Sequence, residues 1–369
     1  CRLYYYASKL VGPPAFPLIE SALYFFGGTH GIQVKSLKIS TNSNPVSEIF
    51  ETGLRIVEKY KPLFKFWFGT KFTVVVTHPE DVKIILNSCL EKDRDYKFTI
   101  PALGCGLVTL PVWEWKQHRK IIGLTFNKQV LNSFVEIFAS YSHILVEKLE
   151  EILGKGCVDV YPILSQCTLD MICNTTMGTN VNAMNDKSQY IIESKKRAKY
   201  QMEDLYDGIT KKKALLDHLI DLTYKEANWS DKETIEETKT IIITGSETTA
   251  SAVCYLLIVM GMHQDIQDLV LEEIDSITGS SGKDIAVEDL TKMTYLDRVI
   301  KETLRLFPNH ILPEGSAIAI PIFFIHEDPD FWTDPLTFDP DRFLPEEVAK
   351  RHPYTFLPFS GGPRNCLGG

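Results

Sequence analysis

The chain has 369 residues, of which 44% are hydrophobic and 24% charged, so a sizeable core is available and more than the usual single-core length is present. A net charge of -9 excludes a protein built to bind nucleic acid through a basic face. Eight cysteines at 1, 89, 105, 157, 167, 173, 254 and 366 form no C-x-x-C pair, which argues against a zinc site or disulfide framework and for reduced thiols.

Cys1–Leu10 is aromatic and apolar, too short to span a bilayer, and lacks a signal-peptide layout. It reads as a remnant of a membrane-anchor region. Residues 11–17, Val-Gly-Pro-Pro-Ala-Phe-Pro, form a proline-rich hinge that holds an extended path. Apolar spacing predicts a helix over Val46–Tyr60. Phe64–Phe68 and Phe72–Thr77 predict a β-hairpin around Gly69-Thr70. Pro79–Asn87 predicts a short helix with proline in its first turn. Trp115–Leu124, Lys128–Leu153 and Tyr161–Met177 are predicted helices. Asp186–Leu222 is charged and helical, and its basic clusters, Lys195–Lys199 and Lys211–Lys213, read as solvated faces.

Ser230-Asp-Lys-Glu233 fits a capping box and opens a long helix reaching about Gln264. Ile241–Met262 is the most apolar window. Thr244, Ser246, Glu247, Thr248 and Thr249 cluster inside it, which favours a buried helix beside a polar site over a membrane span. Asp265–Ile277 is a further helix. Ile277–Asp284 resembles a phosphate loop but fails at both ends, with Ile277 for the first glycine and Asp284 for Ser/Thr. Glu288–Leu306 is predicted helical, Ala317–Phe324 strand-like, and His326–Pro358 an ordered coil. No linker divides the chain, so residues 18–369 read as a single domain, mainly α with a small β region.

The chemistry concentrates in five places. Trp115 and Arg119 share a helix face at i, i+4, where the arginine can pair with an anion. Thr244-Gly-Ser-Glu-Thr-Thr249 is a poor helix interior. Gly245 permits a close approach, and the threonine hydroxyls can bond back to carbonyls. Glu302 and Arg305 lie at i, i+3, the spacing of an ion pair. Arg342 sits in a coil. Cys366 lies in Phe359-Ser-Gly-Gly-Pro-Arg-Asn-Cys-Leu-Gly-Gly369, a loop that can aim backbone amides at a sulfur and favour a thiolate, a soft metal ligand.

In this order the residues resemble the cytochrome P450 superfamily, the haem-thiolate monooxygenases. The matching patterns are W-x-x-x-R at Trp115 and Arg119, [AG]-G-x-[DE]-T-[TS] from Gly245, E-x-x-R at Glu302 and Arg305, P-x-R-F at Arg342, and F-x-x-G-x-R-x-C-x-G at Phe359, Gly362, Arg364, Cys366 and Gly368. Val11-Gly-Pro-Pro is similar to the hinge after a microsomal anchor. Lys120–Phe138 is most similar to the branch holding the family 4 fatty-acid hydroxylases and their insect relatives.

The resemblance implies a P450 fold, haem b, and insertion of one oxygen atom of O2 into an apolar substrate: fatty acid, hormone, odorant or xenobiotic. It implies Cys366 as iron ligand. Trp115, Arg119 and Arg364 would hold the propionates, and Thr244, Gly245, Phe359, Gly362 and Gly368 would lie against the cofactor. Glu247 and Thr248 would be the acid–alcohol pair that manages protons. Glu302, Arg305 and Arg342 would form a structural ion network. Electrons would come from NADPH through cytochrome P450 reductase, with cytochrome b5 as a second partner, and Lys116, Lys120 and Lys128 are candidates for the reductase-facing surface. The location would be the endoplasmic reticulum membrane, on its cytosolic face.

Thr244 stands where the superfamily usually has Ala or Gly and family 4 often has a haem-linked Glu, so non-covalent haem is expected. The stretch between Arg119 and Thr248 is short for the family, and Pro308–Ser316 skips a strand pair. The helix and sheet that follow the cysteine ligand are absent. An inert, truncated relative is therefore the alternative. An isomerase or dehydratase on the same fold is a third reading, which Glu247 and Thr248 oppose.

Overall fold

The structure is a computed structural model that describes residues 10–13, 45–68, 71–185, 215–222, 229–279, 284–306 and 318–369. Its main elements in chain order are α1 (Pro45–Tyr60), β1 (Leu63–Phe68), β2 (Lys71–Val76), α2 (Pro79–Ser88), α3 (Val112–Thr125), α4 (Val135–Glu150), α5 (Tyr161–Met177), α6 (Leu215–Leu222), α7 (Asp231–Met262), α8 (Gln264–Thr278), α9 (Thr294–Leu306), β3 (Ile318–Ala319) and α10 (Ile322–Glu327). Helix dominates. The anchor remnant, most of the hinge, both basic clusters and Pro308–Ser316 lie outside the described residues.

The chain folds into two units that interleave in sequence. The first comprises residues 1–95, 310–337 and 349–365. Its sheet pairs β1 antiparallel to β2, with Phe64 opposite Val75, and β2 parallel to β3, with Val75 opposite Ala319. Alternation sends Phe64 and Val75 inward, where they pack with Ile56 and Val57 of α1 and Phe324 of α10. On the sheet's other side, Val76, Val82, Ile322, Ile325 and Leu357 form a second cluster.

The second unit comprises residues 96–309, 338–348 and 366–369. α7 and α5 form its spine, with Leu169, Cys173 and Met177 of α5 packed against Ile242 of α7. α5 begins with Pro162 in its first turn and ends at Gly178, whose φ of 66° is the left-handed conformation that glycine accepts at a helix end. The capping box of α7 is formed: Ser230 Oγ accepts from Glu233 N, and Ser230 N donates back to Glu233 Oε2 at 2.7 Å. The Ser230 hydroxyl also donates to Glu233 Oε2 at 2.7 Å, and that bond first, with the Ser230 amide second, holds the Glu233 pKa below the usual carboxylate value. By length and composition α7 could cross a membrane. Yet it buries Glu237, Thr238, Thr240 and Ser246 completely or nearly so.

Three predicted elements differ from those observed. The strand-like run Ala317–Phe324 is a two-residue strand followed by helix α10. Pro321 cannot donate to a ladder, and it sits at the N-cap of α10, which buries Ile322, Phe324 and Ile325. The predicted helix Lys128–Leu153 is broken at Ser133 and Phe134 into Lys128–Asn132 and α4. There the Ser133 N–H is shared between Gln129 O and Val130 O, a tightened last turn. The predicted helix Glu288–Leu306 is broken after Leu290. Glu273 of α8 caps α9 from outside, accepting from Tyr295 N at 2.7 Å and Leu296 N at 2.9 Å.

Candidate functional site

Within the second unit the two ends of the motif series meet. Arg119, half-buried on α3, donates from Nη2 to the Cys366 carbonyl at 3.5 Å, the long limit of a hydrogen bond. Burial presses the Arg119 pKa below its ordinary value, and the neighbouring Cys366 pushes back. Trp115, one turn earlier, is 5% exposed. Leu367 packs beside Ile122 on the same helix. The Cys366 thiol is free and exposed. Lys116, Lys120 and Lys128 are exposed.

Glu302, Arg305 and Arg342 are brought together. Glu302 and Arg305 are 0% exposed, and the carboxylate accepts from Arg305 Nε and Nη2, each at 2.7 Å. The Asp339 N–H donates to Glu302 Oε1 at 3.0 Å, and Arg342 Nε lies 3.5 Å from the same oxygen. Arg342 is placed by the short turn Pro340–Phe343, which Asp339 caps.

The polar stretch of α7 forms a ladder of back-bonds. Thr244 Oγ1 donates to Thr240 O at 2.7 Å, and Thr248 Oγ1 to Thr244 O at 2.6 Å. Thr248 is exposed and Glu247 half-buried. Glu247 Oε2 accepts from the Tyr161 hydroxyl at 2.6 Å. Gly245 faces α5: a Cβ there would stand 3.0 Å from Ile172 Cδ1. The close approach that this glycine permits is that of a neighbouring helix.

In the first unit, Gly362 has a φ of 68°, and a Cβ on it would stand 2.2 Å from Leu86 O. Arg364 Nη1 donates to Leu90 O at 2.8 Å. Burial first, and the Arg364 charge second, press the Lys92 pKa down to about 8. Phe359 is exposed, and a Cβ on Gly368 would meet nothing within 4 Å.

Sequence reasoning did not single out His118, Glu236, Glu237 or Tyr161. His118 Nδ1 donates to Glu237 Oε1 at 2.7 Å, and the ring stacks on Trp229 with centroids 4.1 Å apart. Glu237 Oε2 accepts from Leu107 N and Glu236 Oε2 from Cys105 N, both at 2.9 Å. Thr240 Oγ1 donates to Leu103 O at 2.8 Å. The loop at 103–107 is thus fastened to α7. Its one sequence signal was a carboxylate pair opening the apolar half of a helix.

A family model described as Cytochrome P450 matches residues 45–207 and 188–369. The chain belongs to the cytochrome P450 family. It is similar to Cytochrome P450 4c21 of Blattella germanica, 31% identical over 98% of this chain and 83% of the relative. It is 32% identical to Cytochrome P450 4V2 of Homo sapiens, over 87% of this chain and 76% of that protein. Cytochrome P450 4c3 of Drosophila melanogaster is 30% identical over 100% of this chain and 81% of its own length. The first of these alignments runs over 433 positions, more than the chain has residues, so that relative carries internal segments with no counterpart here. As a cytochrome P450 the chain is a haem-thiolate monooxygenase whose cofactor is haem b.

Proposed function

We propose that this P450 is a microsomal enzyme of the endoplasmic reticulum, on the cytosolic face, that hydroxylates an apolar substrate of the fatty-acid, hormone, odorant or xenobiotic kind. Its electrons come from NADPH through cytochrome P450 reductase, with cytochrome b5 as an accessory donor. The observation that carries the reading is the Arg119 to Cys366 contact at 3.5 Å, which joins residues 247 apart in sequence. The hinge Val11-Gly-Pro-Pro supports the location, and the exposed Lys116, Lys120 and Lys128 support an acidic redox partner.

The donor set fits haem. An exposed thiol suits iron, and a half-buried guanidinium beside a buried indole suits carboxylates. When bound, the haem supplies oxygen activation, with the thiolate pushing electron density onto the iron. Cys366 is the residue that binds the metal. Arg119 and Trp115 orient the propionates, and Arg364 takes the same role by its motif position. Phe359, Gly362 and Gly368 shape the cysteine loop. Glu247 holds and releases a proton. Thr248 donates its hydroxyl hydrogen to Thr244 O, which fixes the orientation of its oxygen.

A reduced carbon-monoxide difference spectrum of the purified chain tests the proposal. The expected result is the thiolate-type Soret band. Its absence favours an inert chain, the reading motivated by the internal segments that the cockroach relative has and this chain lacks.

Thr244 bears no carboxylate and directs its hydroxyl to Thr240 O, so no ester to the haem can form there. Acid extraction followed by mass spectrometry is expected to release all the haem. Haem retained on the polypeptide contradicts this.

A further inference from the structure

α5 and α7 meet along a seam of polar side chains. Tyr161 opens α5 and donates its hydroxyl to Glu247 Oε2 at 2.6 Å, within the short range of charge-assisted bonds. Two turns on, Thr168 Oγ1 donates to Ser246 O at 3.0 Å. Between them, one turn from Tyr161, Ser165 is 0% exposed and its hydroxyl has no hydrogen-bond partner among the described residues. A buried hydroxyl without a partner is costly in an interface made only for packing. The start of α5 is itself pinned, because Tyr161 N donates to Asp159 Oδ1 at 3.0 Å.

We propose that Tyr161 is a positioning residue for the proton-delivering carboxylate. Its phenol holds Glu247 Oε2 and so fixes the direction of the carboxyl group that carries and releases the proton. This rests on the reading of Glu247 given above. The hydrogen bond that the phenol donates fixes the carboxylate's direction. Ser251 Oγ, on the next turn of α7, donates to Glu247 O at 3.0 Å and steadies the backbone of the same residue.

The test compares Tyr161→Phe, Glu247→Gln and the double variant in the haem-loaded, reductase-reconstituted enzyme with no organic substrate added. NADPH consumption is followed in H2O and D2O, and amide exchange over 244–250 gives a readout independent of turnover. Glu247→Gln is expected to slow consumption about a hundredfold, the scale of a lost general acid. Tyr161→Phe should slow it about tenfold, the scale of a lost supporting contact. It should also enlarge the solvent isotope effect and speed exchange over 244–250, with α6 unchanged. The double variant should be no slower than Glu247→Gln alone. Glu247→Asp keeps the acid but withdraws it from the phenol, and should match Tyr161→Phe. A normal rate and isotope effect in Tyr161→Phe and Glu247→Asp, beside a slow Glu247→Gln, overturns the inference and leaves the proposed function standing. A normal Glu247→Gln overturns the reading of Glu247 itself. Additive losses in the double variant separate Tyr161 from Glu247 and also overturn the inference.

Discussion

Replacing Glu302 with alanine is expected to cost about 3–5 kcal/mol of stability, the scale of a buried ion pair stripped of one partner. Glu302 and Arg305 are both 0% exposed, so solvent cannot take over the role of the lost carboxylate. Three hydrogen bonds converge on the Glu302 carboxylate, two from Arg305 at 2.7 Å and one from the Asp339 amide at 3.0 Å, and the Arg342 charge lies 3.5 Å from Oε1. Alanine leaves a guanidinium in the interior without its counter-charge. The measurement is the thermal midpoint of the purified chain. A companion variant separates charge from packing. Glu302→Leu with Arg305→Met removes both charges and should recover much of the loss, because the desolvation of both ions disappears with their attraction. A midpoint for Glu302→Ala within a degree of the wild type would sink this account.

Gly362→Ala is the second large effect. A left-handed φ costs a non-glycine residue on the order of 1–2 kcal/mol. Here a further term adds to it, since the new Cβ would lie 2.2 Å from Leu86 O, a backbone atom that cannot swing aside like a side-chain tip. The expected outcome is a clearly lowered melting temperature, with haem content reduced in parallel because Cys366 lies four residues on. Gly123→Ala is the control of opposite sign. That helical glycine's Cβ would meet nothing within 4 Å, so alanine should be neutral or stabilising by about 0.5–1 kcal/mol. Equal behaviour of the two variants would show that the cysteine loop is not held by its contact with Leu86.

The sequence made local features legible and left tertiary ones hidden. Tyr161–Met177 could be read at both ends because proline and glycine punctuate it. Ser230 and Glu233 announce their helix by chemistry contained in four residues. The hairpin showed through its period of two. The helix α10 was hidden because a short apolar run has the same look as strand or buried helix, and Pro321 decided between them. The break before α9 was hidden because Glu273 supplies its cap from another helix.

The site divides in the same way. Glu302 and Arg305 sit one turn apart on a single helix, so their pairing was written into their spacing. Their complete burial was not, because it depends on residues 338–348 returning to the unit. The contacts of Tyr161 with Glu247 and of His118 with Glu237 span 86 and 119 residues, and no local pattern marks either. Gly245 shows the converse. Its position within the polar stretch drew attention to a ligand, while its nearest neighbour is Ile172.

The loop fastened by Glu236 and Glu237 has an evolutionary corollary. Both carboxylates grip main-chain amides, those of Cys105 and Leu107, and every residue except proline presents that donor. The exposed side chain at 105 can therefore drift without loosening the loop, whereas Leu107 also packs against the cluster around Ile122. The two glycines at 104 and 106 cannot drift. A Cβ at Gly104 would lie 2.2 Å from Glu236 Oε2, and one at Gly106 would lie 2.2 Å from Thr240 Oγ1. Selection thus meets one free position among fixed ones here. New side chains can be tried at 105 while the backbone that presents them stays put.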